Sequence, residues 1–139
     1  MYITANTVAN GLLAAGASPV MADSPLDAED ITAKASAVLF NMGTLSKDRL
    51  RAMLISAQKA ADMSKPIVLD PVGAGSTDNR LRSTMQLLRQ FRFAAVRGNA
   101  SEISALLSTS PITMKAEKGV DSAETTLEDK ISLAKKAAK

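Results

Sequence analysis

The stretch Pro66-Ile-Val-Leu-Asp-Pro-Val-Gly-Ala-Gly-Ser76 decides the fold, because it joins a short apolar run to a loop that contains two glycines. Ile67, Val68 and Leu69 form a continuous apolar run, which is typical of a parallel β-strand buried on both faces. Asp70 follows where the strand is expected to end, and the glycines after it allow a tight backbone with little side-chain bulk. We therefore predict a strand that ends in a loop at the carboxyl edge of a parallel sheet.

The chemistry of this edge points to a ligand site. Open parallel sheets bind their ligands just outside the carboxyl ends of the strands. Asp70 offers a carboxylate to a cation, and bare N–H groups of the loop are suited to an anion. A metal-phosphate group would satisfy both. A tight turn capped by Asp70 is the structural alternative, and the residues alone leave both interpretations open.

Helices and strands alternate on both sides of this stretch. Apolar spacing and end signals predict helices over residues 4–15, 25–36, 47–63, 77–91, 100–108 and 127–139. Short apolar runs predict strands at residues 17–22, 37–41, 67–69 and 93–96. Ser24, Ser46 and either Thr125 or Thr126 stand in the positions of N-cap residues. Such alternation with short loops predicts right-handed βαβ units and a parallel sheet.

The two ends of the chain predict a partial domain. The 139 residues fit one domain. After residue 108 the pattern weakens, and we expect a short extended piece at residues 112–115 and a loop at residues 117–124. The chain is predicted to begin and to end on a helix, with about four strands between, whereas a doubly wound sheet usually has more. We therefore expect part of a larger α/β domain.

Composition limits the possible chemistry. The sequence contains no cysteine and no histidine, so a thiolate nucleophile, a cysteine zinc site and a histidine base are excluded. No apolar run approaches the roughly 20 residues that span a bilayer, and no secretory signal is visible, which favours a cytoplasmic protein without a membrane partner. The net charge of +3 comes largely from lysines near residue 139, where aromatic residues are nearly absent. A solvated helix end is favoured there, and no nucleic-acid partner is expected.

Four stretches of the sequence carry recognisable motifs: Val8–Leu13 continuing to Gly16–Ala22, Asn41–Leu45, Val68–Gly75 and Arg97–Glu102, with a further similarity at Lys118–Ser122. Together they resemble the hydroxyethylthiazole kinase family of the ribokinase-like superfamily. Each motif alone is weak, but GASPVMA, LDPVGAG and RGN-x-x-E in this order are specific to that family. The resemblance covers nearly the whole chain.

The resemblance implies a fold and a reaction. The fold would be a ribokinase-like layered α/β/α domain with a mainly parallel sheet. The reaction would be the ATP-dependent phosphorylation of the hydroxyl of 4-methyl-5-(2-hydroxyethyl)thiazole in thiamine salvage, with Mg²⁺ as cofactor. The resemblance also implies a homotrimer whose active sites lie between subunits.

The resemblance also assigns roles to five residues. Met21 matches a methionine that contacts the thiazole. Arg97 and Asn99 match residues that bind ATP, while Asp70 and Glu102 match carboxylates of the magnesium-phosphate region. The residues alone leave alternatives open, because Arg97 also fits a structural ion pair, Glu102 a helix cap and Met21 a core position.

The chain departs from the family pattern in its catalytic parts. A turn of Thr-Gly-Glu type and a glycine-rich Gly-x-Gly-(Asp or Cys) loop are expected in the family but not found in the sequence. The catalytic residue is therefore expected beyond Lys139, and residues 1–139 are expected to be one ribokinase-like domain truncated at both ends. We expect weak or absent kinase activity, and the alternative is a non-catalytic thiazole-binding or oligomerising remnant.

Overall fold

The computed structural model describes residues 2–108 and 126–138. Within these ranges the elements are α1 (Tyr2–Ala14), α2 (Ala28–Lys34), β1 (Val38–Asn41), α3 (Lys47–Asp62), β2 (Ile67–Asp70), α4 (Asp78–Gln90), β3 (Ala95–Val96), α5 (Ala100–Leu107) and α6 (Leu127–Ala137). The extended piece predicted at residues 112–115, the loop at 117–124 and the similarity at Lys118–Ser122 lie outside the described residues. Among the helices described, none combines the length and the apolar character needed to cross a bilayer.

The three strands form one sheet in the order β1-β2-β3. Strands β2 and β3 are parallel, with Val68 opposite Ala95 and Leu69 opposite Val96. The pairing of β1 with β2 runs in the same direction, because Val38 N donates to Pro66 O and the N–H four residues later, on Met42, donates to Asp70 O. The predicted α/β class with a parallel sheet is therefore confirmed.

The sheet is held by apolar side chains on its central strand. Ile67 and Leu69 are buried, as the apolar run predicted, while Val68 between them is only partly covered. The Phe40 ring of β1 packs edge-on against Phe93, with ring centroids 6.3 Å apart. Because all three strands point the same way, their following loops meet at one carboxyl edge.

The fourth strand predicted at residues 17–22 is wrong. Residues 17–24 form neither helix nor strand, and Val20 and Met21 are exposed. Pro19 has no N–H to donate to a ladder, and a short apolar run becomes a strand only where a neighbouring strand pairs with it.

The predicted start of α2 is also wrong, because Ser24 does not cap it. Its Oγ accepts a hydrogen bond from Leu26 N (3.2 Å), and Asp27 N donates to Ser24 O (3.3 Å), so this serine closes a turn. The helix begins at Ala28, after an Asp27 that makes no side-chain cap bond. Serine hydroxyls favour such turns as readily as helix caps, and the sequence did not separate the two.

Other predicted caps are confirmed. Ser46 Oγ accepts from Arg49 N at the start of α3, and the Thr126 hydroxyl accepts from Asp129 N at the start of α6. Thr77, which the sequence analysis places as the first residue of a helix, caps α4 in the same way. These helices begin within one residue of the predicted positions because a capping signal and an amphipathic pattern coincide.

Residues 2–38 and 44–66 form one compact unit. In it, α2 packs on α3 through a buried hydrogen bond between the Thr32 and Ser56 hydroxyls (2.6 Å) and a Glu29–Lys59 ion pair. Lys65 Nζ donates to three carbonyl oxygens at the end of α2, which places a positive charge at the negative end of that helix.

Residues 39–43, 67–108 and 126–138 belong to a second compact unit. This unit contains β2, β3, most of β1 and the helices α4, α5 and α6. Met42 and Gly43 after β1, the loop after β2 and the turn between β3 and α5 therefore belong to the same unit.

Candidate functional site

Asp70 forms the centre of a polar cluster at the carboxyl edge. It ends β2 and is only 6% exposed. Its Oδ2 accepts hydrogen bonds from Asn41 Nδ2 and from Arg97 Nη2, each at 3.0 Å. Within the described chain Oδ1 accepts no hydrogen bond, so this oxygen is available to a ligand. The Arg97 side chain is 78% exposed, so most of its guanidinium also remains accessible.

Glu102 is the second buried carboxylate of this edge. It is 6% exposed and lies in the first turn of α5. Its Oε2 accepts from Asn99 N (2.9 Å), and Asn99 Oδ1 accepts from Glu102 N (2.9 Å), which completes a capping box. Its Oε1 accepts from Gly73 N (3.0 Å) in the loop after β2. The capping interpretation is therefore confirmed, and Glu102 also holds a second loop.

Three N–H groups of the glycine loop donate hydrogen bonds within the protein. Gly73 has a φ of +65°, a conformation that glycine adopts without strain. Its N–H donates to Glu102, Ala74 N donates to Pro71 O and Ser76 N donates to Gly73 O. The prediction that bare N–H groups face an anion therefore does not hold for these three amides. An anion at this edge would depend more on Arg97.

The electrostatics favour a cation beside Asp70. Burial raises the pKa of Asp70 above its ordinary value of 3.8; Arg97 lowers it, Glu102 raises it again, and the net shift is upward. A carboxylate in this state is stabilised in its charged form by an added positive charge.

A magnesium ion fits part of this arrangement. Among the described residues, no group of three or more His, Cys, Asp and Glu side chains is placed to hold a metal. Mg²⁺ is commonly bound by one or two carboxylates together with water and phosphate oxygens, so a site of two carboxylates is sufficient. Asp70 can contact the ion through Oδ1, which accepts no hydrogen bond within the described chain. Glu102 can do so only through lone pairs that are not used by its hydrogen bonds with the N–H groups of Gly73 and Asn99.

Two residues of this edge were not assigned to the site from the sequence. Asn41 ends the predicted strand at residues 37–41 and ends β1 in the structure, as Asp70 ends β2, and this shared position at a strand end is the available signal. Arg80 Nη1 donates to Met42 O (2.8 Å) and to Val72 O (3.1 Å). No sequence signal marked Arg80, because its partners are backbone carbonyls from two separate loops.

The predicted site residues divide between the two units. Asp70, Arg97, Asn99 and Glu102 belong to the second unit, where a network of hydrogen bonds links Asp70 to Arg97 and Glu102 to Asn99. Met21 belongs to the first unit and is 54% exposed. The alternative of a core position for Met21 is therefore wrong.

A parallel sheet with a buried carboxylate, an arginine and a glycine loop at its carboxyl edge defines the class of the protein: it is an α/β protein with a candidate ligand site at the strand ends. The model of the hydroxyethylthiazole kinase family matches residues 1–139. The chain is 50% identical over 123 residues to hydroxyethylthiazole kinase of Syntrophus aciditrophicus, which covers 88% of the chain and 44% of that relative. It is 42% identical over 139 residues to the same enzyme of Ruminiclostridium cellulolyticum, which covers 99% of the chain and 50% of that relative.

A solved structure agrees with these relatives. Hydroxyethylthiazole kinase from Pyrococcus horikoshii OT3 superposes with a TM-score of 0.73 at 45% identity, over 77% of this chain and 42% of that one. The chain therefore belongs to the hydroxyethylthiazole kinase family and shares its ribokinase-like fold. It spans about half the length of the curated relatives it matches.

Proposed function

We propose that this chain serves the ATP-dependent phosphorylation of the hydroxyl of 4-methyl-5-(2-hydroxyethyl)thiazole in thiamine salvage. One observation supports this proposal most. Asp70 bonds to Arg97 (3.0 Å) and interacts electrostatically with Glu102 at the carboxyl edge of the sheet. Phosphoryl transfer depends mainly on positioning and on neutralising charge, and this edge combines acidic and basic groups suited to both.

Each residue of the edge has a role in this proposal. Arg97 binds a phosphate of ATP, because a guanidinium presents two parallel donors to phosphate oxygens. Asn99 orients a phosphate oxygen, and Asp70 and Glu102 hold Mg²⁺. The bound Mg²⁺ would neutralise negative charge on the phosphates. Met21 contacts the thiazole ring through its polarizable sulfur.

We further propose that the 139-residue chain alone transfers phosphate weakly or not at all. Among the described residues of this edge, Asp70 is paired with Arg97, and both Glu102 oxygens accept backbone N–H groups. In this proposal both carboxylates serve Mg²⁺, so neither is assigned as the base that takes the proton of the substrate hydroxyl. A positioned base and an oxyanion-stabilising loop each contribute about 10²-fold or more to enzymatic rates.

Several family features remain predictions for this chain. They are the homotrimer with sites between subunits, the cytoplasmic location and the description of residues 1–139 as one ribokinase-like domain truncated at both ends.

A phosphorus NMR assay with Mg²⁺, ATP and the thiazole alcohol tests the proposed function. We expect Mg²⁺-dependent ATP binding, which Asp70→Asn abolishes and the exposed control Asp48→Asn leaves unchanged. Any thiazole phosphate should form at least about a hundredfold more slowly than with a full-length relative. The absence of ATP binding would contradict the proposed function, and turnover equal to that of the relative would contradict the proposed slow transfer.

A non-catalytic binding or oligomerising role is the second candidate, and one observation favours it. Helix α1 contains no charged residue and exposes Val8, Leu12 and Leu13. Exposed apolar groups of this kind often mark an interface. Sedimentation that shows oligomers, together with thiazole binding but no ATP turnover, would select this candidate over the kinase.

A further inference from the structure

One peptide of the glycine loop is held at both ends by charged side chains. The carbonyl oxygen of Val72 accepts a hydrogen bond from Arg80 Nη1 (3.1 Å). The N–H of the same peptide, on Gly73, donates to Glu102 Oε1 (3.0 Å). A guanidinium therefore faces the negative end of this peptide dipole and a carboxylate faces its positive end.

The same arginine also reaches the neighbouring loop. Its Nη1 donates to Met42 O (2.8 Å), in the loop that follows β1. Met42 N in turn donates to Asp70 O (2.9 Å) at the end of β2. One guanidinium nitrogen thus joins the loop after β1 to the loop that follows Asp70 at the end of β2.

Helix α4 fixes Arg80 in this place. Arg80 lies in the first turn, where its N–H donates to the Thr77 cap (3.2 Å) and its carbonyl accepts from the Thr84 hydroxyl (2.8 Å). A Cβ built on Gly73 would lie 3.7 Å from Arg80 Nη1, so the loop backbone runs close to the arginine side chain.

We propose that Arg80 is a positioning residue that fixes the orientation of the Val72–Gly73 peptide and thereby holds Glu102 beside Asp70. If this peptide turned over, its carbonyl would face the Glu102 carboxylate and its N–H would face the guanidinium, and both contacts would become repulsive. Hydrogen bonds to charged groups are stronger than neutral ones, so the two side chains together hold one orientation. The consequence for nucleotide binding rests on the proposed function, but the orientation of the peptide does not.

Amide hydrogen exchange of the full 139-residue chain, measured by NMR, tests this role. Arg80→Met removes the donors and keeps the apolar stem, and we expect the Gly73 amide to exchange about tenfold faster. Arg82→Met is the matched control, because it removes the same charge from the same helix at an exposed position. It should leave the Gly73 exchange rate unchanged.

A conservative variant separates positioning from general stability. Arg80→Lys retains the positive charge and has three N–H donors on a single nitrogen, so it should restore part of the Gly73 protection lost in Arg80→Met. If Arg80→Met fails to fold, Arg80→Lys is compared directly with the wild type, and we expect a severalfold faster exchange at Gly73 with an unchanged urea midpoint. Wild-type Gly73 exchange in the Arg80 variants, or an equal acceleration in Arg82→Met, would overturn the proposal.

Titration with ATP and Mg²⁺ extends the test to the ligand. We expect Arg80→Met to weaken ATP binding about tenfold, with no change in Arg82→Met. ATP binding by Arg80→Met equal to the wild type would contradict the role of Arg80 in the ligand site. If the wild type binds no ATP, the proposed function fails, while the exchange rate of Gly73 still decides whether Arg80 positions the loop.

Discussion

Helices α5 and α6 begin with the same type of capping box but use it differently. In α6, Asp129 Oδ2 accepts from both the N–H and the hydroxyl of Thr126, all within one exposed turn. In α5, one Glu102 oxygen accepts from Asn99 N, and the other accepts from Gly73 N, 29 residues earlier in the chain. Glutamate is one methylene longer than aspartate, which gives its second oxygen greater reach beyond the cap.

The difference shows how a local helix signal can take part in a site. Both boxes satisfy N–H groups at a helix start, which the sequence can indicate. Only the α5 box is buried next to a second carboxylate, and its partner in the glycine loop is set by the parallel pairing of β2 with β3. Variants of the two boxes and of their neighbours can therefore show whether the α5 box does more than cap its helix.

The largest difference is expected when each capping carboxylate is removed. Glu102→Ala leaves the partly buried N–H groups of Gly73 and Asn99 without their acceptor, and should lower the free energy of unfolding by about 3 kcal/mol. Asp129→Ala removes an exposed cap and should cost about 1 kcal/mol. Urea unfolding followed by circular dichroism measures both, and equal losses would show that Glu102 is only a cap.

A smaller effect is expected where the α5 box needs space. A Cβ on Gly98 would lie 3.1 Å from Glu102 Oε2 and 3.2 Å from Ile103 Cδ1, so Gly98→Ala should lower the free energy of unfolding by about 1–2 kcal/mol. Among the described residues nothing lies within 4 Å of a Cβ built on Gly11 in α1, so Gly11→Ala should raise it by about 1 kcal/mol. The same unfolding experiment measures both variants. A harmless Gly98→Ala would mean that Glu102 is not tightly held.

Arg97 should contribute little to stability and much to ligand binding. Its side chain is 78% exposed, so Arg97→Met should change the free energy of unfolding by less than about 0.5 kcal/mol. The exposed control Arg92→Met should change the free energy of unfolding equally little. Isothermal titration calorimetry with ATP and Mg²⁺ should separate them, because only Arg97→Met should weaken binding, by about tenfold or more. Equal ATP binding by the two variants would indicate that Arg97 serves only as a structural ion-pair partner.

The pH dependence of stability should be the smallest effect. Because folding raises the pKa of Asp70 above 3.8, the protonated form is favoured in the folded state. The stabilisation that Asp70 gives the folded state is complete below pH 3.8, and it is lost as the pH rises through the raised pKa of the folded state. The stability of the wild type relative to Asp70→Asn should therefore fall over the pH range that begins at 3.8 and extends upward, in metal-free buffer. A constant difference over that range would contradict the raised pKa.

Much of the fold was accessible from the sequence because its signals are local. Ser46 and Thr126 precede amphipathic patterns and cap the predicted helices. The apolar run at residues 67–69 became the central strand. The errors arose where a local signal has two outcomes, as at Ser24, or where a partner elsewhere in the chain decides, as in the strand expected at residues 17–22.

The site could be predicted only in part from the sequence, because some of its contacts depend on partners elsewhere in the chain. The position of Asp70 at a strand end indicated a ligand edge, and Arg97 and Glu102 stood beside the next strand. The bond from Glu102 to Gly73 and the bonds from Arg80 to two carbonyls depend on how loops meet in three dimensions. Nothing in the order of the residues predicts those pairs.

Paramagnetic broadening by Mn²⁺, used in place of Mg²⁺, tests most directly whether Asp70, Arg97 and Glu102 share a metal-nucleotide site. With ATP present, a small amount of Mn²⁺ should broaden the amide signals of Asn41, Asp70 and Gly73 first. Asp70→Asn should abolish that pattern, because it removes the open carboxylate oxygen. Broadening confined to other parts of the chain, or unchanged in Asp70→Asn, would contradict a metal site at this edge of the sheet.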